Sequence, residues 1–385
     1  MKNKNENLTF VFDVDDTICH TNNREYKNSV PDAEVIEKIN KLYDSGNKIV
    51  LYTSRGMVSC DGDIEKAIEK NESILKEWLK ENDVKYSELI FGKPIADFYI
   101  DDRCMNVKGF KESKFEEFNT GKSGKKVYRF GEYVLKFADF YKRTRMKNFE
   151  KYKPNDIRSP KIISSLNNKI YIEYVDGKPL IDLVANGNYD LFSKLFFKDI
   201  NKLKNKDNFT IGVDIVDLFH KLDLNVNNDK EEYYGLNDVK LVDKAKKLIR
   251  SVSGTLYENK SMSHGDMIMS NILYSKDGLV YLDSEFNIFC STYIMDLAKM
   301  YMSFLGYENI FGISDKKISK SYIKRYYKDV KVRYGKKVAF AMVALTYHYI
   351  VRLIRYNKDQ LQNVNKLIAI LEEYNGKQIK ELLGK

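Results

Sequence analysis

The sequence predicts an α/β chain of two domains: a parallel sheet flanked by helices, then an α+β domain whose strands come first and whose helices follow. Three observations carry this. Short apolar strand-like runs alternate with amphipathic helical runs through the first third of the chain. Near residue 120 the pattern changes to strand, tight turn, strand. From about Tyr189 onward the spacing of apolar residues is mostly helical. A length of 385 residues suits two or three domains of ordinary size.

The elements follow in order. Leu8 to Phe12 is a β-rich apolar run that ends in acids. Ala33 to Tyr43 places Val35, Ile36, Ile39 and Leu42 on one helical face, and Asp44-Ser-Gly46 stops it. Lys48 to Tyr52 is a second buried strand, Ile64 to Leu79 a longer helix, Leu89 to Phe91 a short strand, and Asp97 to Ile100 another strand ending in acids. Parallel sheets bind ligands beyond the carboxyl ends of their strands, and here those ends carry Asp13, Thr53 and Asp101. In the second part, Lys125 to Phe130 and Tyr133 to Phe137 flank a turn at Gly131-Glu132, and Ile170 to Val175 makes a further strand closed by Asp176-Gly177. Ile272 to Tyr274 and Leu279 to Leu282 form a strand-like pair amid the helices.

Composition narrows the classes. Hydrophobic residues at 43% and charged residues at 31% are globular proportions, and five prolines leave no long linker. Cys19, Cys60, Cys104 and Cys290 lie 41, 44 and 186 residues apart, so neither a zinc ribbon nor a disulfide framework is expected, and a reducing cytoplasm is. No apolar segment of signal-peptide length precedes the first strand. The most apolar run, Val338 to Val351, falls short of the ~20 residues of a membrane span and predicts a buried helix in a soluble protein. The net charge of +10 is uneven: residues 1–120 hold 18 Lys and Arg against 24 Asp and Glu, the remainder 47 against 31. The basic residues are scattered among acids, which predicts a solvated surface that helps collect phosphorylated ligands and no nucleic-acid partner.

The run Phe10-Val-Phe-Asp13-Val-Asp15-Asp-Thr17 sets two carboxylates two residues apart beyond a strand. Alone, this is a capped turn or a generic divalent-metal site. Further on, Thr53 ends a second strand, Phe91-Gly-Lys93-Pro supplies a lysine, and Asp101-Asp102 end another strand. This order resembles the four motifs of the haloacid dehalogenase-like phosphatases, over about residues 7–118. The resemblance implies a Rossmann-like domain over 1–118 that hydrolyses a phosphomonoester through an aspartyl-phosphate. Asp13 would be the nucleophile, and Asp15 the acid that protonates the leaving oxygen and then the base that deprotonates water. Asp13 and Asp101 would hold Mg²⁺, assisted by Asp15 and Asp102. Thr53 would bond the transferring phosphoryl group, and Lys93 would neutralise its charge. About one helix fills each gap between motifs, so the domain is expected to be capless.

Ser263-His-Gly-Asp266 with Asn271 five residues after the aspartate, followed by Asp283-Ser-Glu285 at a strand end, is the most specific stretch in the chain. It resembles the aminoglycoside phosphotransferase and choline kinase-like family, small-molecule kinases with a bilobal protein-kinase-like fold. The resemblance implies a domain over 119–385, with a small lobe at about 119–178 and a large helical lobe at about 179–385. Asp266 would orient the acceptor hydroxyl and accept its proton, while Asn271 and Asp283 would bind Mg²⁺ bridging the phosphates of ATP. Ser123 and Gly124 lie in the expected phosphate turn, whose GKS triplet lacks the glycine a Walker motif needs five residues before Gly121, a position held by Glu116. Lys136 matches the lysine that grips the phosphates, and Glu150 its ion-pair partner. The backbone around Glu173, Tyr174 and Val175 would bond adenine. Asp296 is expected to be structural, Glu285 has no assigned role, and His220 is expected to be packed.

Together these readings predict a bifunctional Mg²⁺-dependent enzyme, a phosphatase and an ATP-dependent kinase. Its substrates would be a sugar, polyol or amino alcohol and a phosphorylated metabolite, in surface-glycan or related biosynthesis. The two activities would act on different positions, since on one bond they would only consume ATP. The alternatives are a catalytically inactive or regulatory scaffold, or a choline- or ethanolamine-type kinase with a degenerate phosphatase domain.

Overall fold

The structure, a computed structural model, describes residues 7–22, 25–96, 105–112, 116–118, 127–130, 132–166, 168–205, 215–223, 236–288, 290–356 and 361–384. The chain divides into two compact units, residues 1–117 with 128–131 and residues 118–127 with 132–385. Asp101, Asp102, Ser123 and Gly124, and the strand expected over Asp97 to Ile100, lie outside the described residues.

The first unit holds β1 (Thr9–Phe12), the short pair β2 (Cys19–His20) and β3 (Val30–Pro31), α1 (Ala33–Asp44), β4 (Lys48–Thr53), α2 (Ile64–Glu81), β5 (Glu88–Phe91) and α3 (Val107–Glu112). The sheet order is β1-β4-β5 with both pairings parallel, Phe12 opposite Leu51 and Thr53 opposite Phe91, so the three carboxyl ends lie side by side. Aspartates start both long helices: Asp32 accepts the Val35 amide at 3.2 Å and Asp63 the Lys66 amide at 3.1 Å. α1 buries Val35, Ile36, Ile39 and Leu42, the face its helical spacing marks, and α2 buries Ala67, Leu75, Trp78 and Leu79. β6 (Glu116–Phe118) and β7 (Val127–Phe130) lie at the boundary.

The second unit begins with β8 (Tyr133–Phe137), α4 (Phe140–Tyr152), β9 (Ile162–Leu166) and β10 (Lys169–Glu173); β8-β10-β9 is an antiparallel run with Lys136 opposite Ile170. β11 (Lys178–Pro179), α5 (Leu180–Ala185), α6 (Tyr189–Lys204), α7 (Ile215–Asp223) and α8 (Leu236–Glu258) follow. Then come the hairpin β12 (Ile272–Ser275) and β13 (Gly278–Tyr281), α9 (Tyr293–Phe304), α10 (Tyr307–Ile310), α11 (Ser321–Tyr334), α12 (Lys336–Arg352) and α13 (Leu361–Leu382). Every residue of α12 from Val338 to Val351 is buried, against α8, α9, α11 and α13. A helix apolar all round must be covered all round, which is why this run looks membrane-like in sequence. Among the described residues no helix is long and apolar enough to cross a membrane.

Three readings of the sequence need correction. β9 goes unread because its Ser164 and Ser165 break the apolar run. The strand expected to reach Val175 ends at Glu173. His220, expected to be packed, is exposed on α7.

Candidate functional site

In the second unit a loop before β12 and another after β13 are joined through their backbones. The Leu282 amide donates to the Asn271 carbonyl at 2.8 Å and the Glu285 amide to the His264 carbonyl at 2.9 Å. The loops run so close that a Cβ on Gly265 would sit 2.7 Å from the Glu285 carbonyl oxygen, and Gly265 also has φ +86°. Only glycine meets both demands. Asp296, fully buried on α9, anchors the turn by accepting the His264 amide at 2.7 Å and the Gly265 amide at 2.8 Å. Burial pushes the Asp296 carboxyl up to about 7 and the His264 imidazole down to about 4.

Asp266 projects from this anchored turn. Its Oδ2 accepts the Asn271 side-chain amide at 2.9 Å, and its Oδ1 lies 2.9 Å from Lys299 Nζ. Burial alone would raise its carboxyl, but Lys299 and Lys142 outweigh that and hold it below the ordinary value. Asp283 takes the left-handed backbone conformation, with φ +58°, at the mouth of the second loop. Lys136 of β8 donates to both of its oxygens. Lys136 and Lys142 overcome the effect of burial and bring Asp283 down to about 2. Lys142, in the first turn of α4, bonds Glu285 Oε1 at 2.5 Å and the Asp283 carbonyl at 2.9 Å, while Arg145 takes Glu285 Oε2.

The sequence-read residues Asp266, Asn271, Asp283 and Lys136 are therefore brought together. Glu150 is not the partner of Lys136: it accepts from the Ser159 hydroxyl and lies 3.8 Å from Lys153, because Asp283 already occupies the lysine. At the end of β10 the Glu173 amide donates to the Lys161 carbonyl at 2.9 Å and the Tyr174 amide to Glu132 at 2.7 Å, so neither amide is open to a ligand. Lys142, Arg145 and Lys299 escaped the sequence reading. Lys299 had one signal, its place three residues after Asp296 on the same helical face.

Among the described residues no three His, Cys, Asp or Glu side chains gather as a metal cluster. The oxygens of Asn271 and Asp283 are nevertheless hard donors that suit Mg²⁺. Asn271 spends its amide hydrogens on Asp266, so its side-chain oxygen is the atom it could offer a metal.

In the first unit Asp13 follows β1 and Lys93 follows β5, the strands on either side of β4, and Lys93 Nζ lies 2.8 Å from Asp13 Oδ2. Asp13 Oδ1 accepts the Val14 amide at 2.9 Å. Thr53 is fully buried, and its hydroxyl accepts the Arg55 amide at 3.0 Å. Asp15 is held by Arg55, whose Nε lies 3.0 Å and Nη2 3.0 Å from the two carboxylate oxygens. Arg55 is 1% exposed, lies over the Tyr26 ring at 4.6 Å and has no partner for Nη1 among the described residues. The sequence reading passed over it although it stands two residues after Thr53. The metal ligands expected at Asp101 and Asp102 fall outside the described residues.

No protein-family profile and no curated protein matches the chain. Among solved structures, the apo form of a thermostable mutant of aminoglycoside phosphotransferase APH(4)-Ia matches 68% of this chain and 94% of its own at 13% identity, with a TM-score of 0.50. The first unit is too small to supply that share, so it is the second unit that has an aminoglycoside phosphotransferase-like, protein-kinase-like fold. An ethanolamine kinase from Plasmodium vivax matches 72% of this chain and 83% of its own at 15% identity and a TM-score of 0.42. A structural-genomics target from Vibrio cholerae is 32% identical over 28% of this chain and 89% of its own, with a TM-score of 0.27.

Proposed function

We propose that the kinase-like part of the chain, residues 119–385, transfers the γ-phosphoryl group of ATP to a hydroxyl of a small molecule. The observation that carries this is the convergence of Asp266, Asn271, Asp283 and Lys136 in a kinase-like fold. The acceptor oxygen attacks the γ-phosphorus, its proton passes to the Asp266 carboxylate, and the bond to ADP breaks. Asn271 and Asp283 are the residues that would hold Mg²⁺, which neutralises phosphate charge when bound. Lys136 turns from Asp283 to the phosphates as nucleotide enters. Ser123 and Gly124 remain the proposed phosphate turn, and Val175 the proposed adenine contact; Glu173 contributes through its carbonyl rather than its engaged amide. The free thiols of Cys19, Cys60 and Cys290 suit a reducing compartment such as the cytoplasm.

For the first unit, over 1–118, we propose phosphomonoester hydrolysis, supported by Asp13, Thr53 and Lys93 at neighbouring carboxyl ends of a parallel sheet. An Asp13 oxygen attacks phosphorus, the leaving alkoxide takes a proton from Asp15, and water then releases phosphate as Asp15 recovers the proton. Asp101 and Asp102 remain proposed to share with Asp13 the holding of Mg²⁺.

Two assays on the purified chain with Mg²⁺ test both readings. One follows ATP consumption against sugars, polyols, amino alcohols and aminoglycosides, the other phosphate release from sugar and amino-alcohol phosphates. Asp266→Asn abolishes only the first activity and Asp13→Asn only the second; absence of either activity from the wild-type chain overturns its reading.

A further inference from the structure

We infer that Lys299 sets the acceptor class of the kinase site, favouring a sugar or polyol hydroxyl with no positive charge beside it over an amine. The inference rests on the kinase reading and deepens it.

Two side chains one turn apart on α9 control the catalytic turn from beneath. Asp296 fixes the backbone through the His264 and Gly265 amides, and Lys299 Nζ stands 2.9 Å from Asp266 Oδ1. Lys299 is held on its other side as well: its ammonium lies 4.5 Å from the centre of the Tyr349 ring, and Tyr349 is buried. The lysine side chain is 15% exposed and Asp266 26%. The cation therefore sits at the floor of the site, while the carboxylate keeps some access to a ligand.

An ammonium-bearing acceptor needs unbalanced negative charge close to the reacting oxygen. Among the described residues, Asp266, Asp283 and Glu285 are each matched by built-in cations, Asp266 by Lys299, Asp283 by Lys136, and Glu285 by Lys142 and Arg145, while Asp296 is fully buried and engaged by the His264 and Gly265 amides. An amine brought next to Asp266 meets the Lys299 ammonium in a partly desolvated setting, where like charges repel more strongly than in water. A neutral hydroxyl suffers no such repulsion and can donate its hydrogen bond to the carboxylate. Discrimination here comes from a repulsive element as much as from an attractive one.

The test compares matched acceptors with the full chain and Mg²⁺-ATP, glucose against glucosamine and ethylene glycol against ethanolamine, as ratios of kcat/KM. The wild type favours the neutral member of each pair by about tenfold or more. Lys299→Met moves the ratio about tenfold towards the amine, and Lys299→Arg keeps the wild-type ratio. Thermal melting checks that Lys299→Met folds, and Lys299→Gln replaces it if it does not. A wild type that prefers the amines, or a neutral-to-amine ratio untouched by loss of the lysine charge, overturns the inference and leaves the kinase reading standing. Calorimetric titration with ADP reports on that reading separately: no ADP binding and no Asp266-dependent transfer to any acceptor overturns it and, with it, the inference.

Discussion

Asn271 donates its side-chain amide to Asp266 Oδ2 at 2.9 Å and to the Asp266 backbone carbonyl at 3.0 Å. One residue thus orients the proposed base and presents an oxygen to the proposed metal. Asn271→Ala is expected to lower kcat by roughly 10- to 100-fold, the range seen when groups that orient ligands are removed. Thermal melting should hardly move, since the backbone bond between Asn271 and Leu282 survives. Steady-state kinetics at saturating ATP checks this.

Lys136 spans from β8 to Asp283 and is the cation proposed to meet the nucleotide. A hydrogen bond to a charged group contributes roughly 1.5–3 kcal/mol. Lys136→Met should therefore weaken ADP binding by about 10- to 100-fold, measured by calorimetry. Unchanged affinity would remove Lys136 from the nucleotide site.

His264 and Asp296 predict compensating pH trends. His264 falls from 6.5 to about 4 on folding, so its contribution is present above pH 6.5 and lost as pH falls towards 4, by about 3 kcal/mol in all. Asp296 rises from 3.8 to about 7, so its contribution is present at low pH and lost as pH climbs to 7, by about 4 kcal/mol. Between pH 4 and 6.5 the two slopes oppose and largely cancel. Urea denaturation across that window should show His264→Gln gaining stability as pH falls and Asp296→Asn losing it. Parallel slopes in the two variants would contradict the assignment.

Arg55 is buried beneath Asp15 with the Tyr26 ring on its face. Arg55→Met removes charge-assisted bonds but leaves a carboxylate that is still 27% exposed and can rehydrate. The expected loss is about 2 kcal/mol. Arg55→Lys should recover only part of it, because an ammonium cannot make the two-pronged contact. Phosphate release should fall in both variants, since Asp15 loses its orientation.

The sequence determined what is local or periodic. Alternating apolar runs marked β1, β4 and β5 and the helices α1 and α2. The helical spacing of α1 named its buried face. Asp266, Asn271 and Asp283 were legible because they lie within one short stretch whose two strands must pair. Only the tertiary structure decided the charge partners. Lys136 meets Asp283 across 147 residues and so cannot take Glu150, and Lys142 reaches Glu285 from a helix 143 positions away. Lys299 reaches Asp266 from another helix altogether. Hydrophobic period records which side of an element faces inward, but a flexible cation finds its carboxylate by position in space, and spacing along the chain carries no trace of that choice.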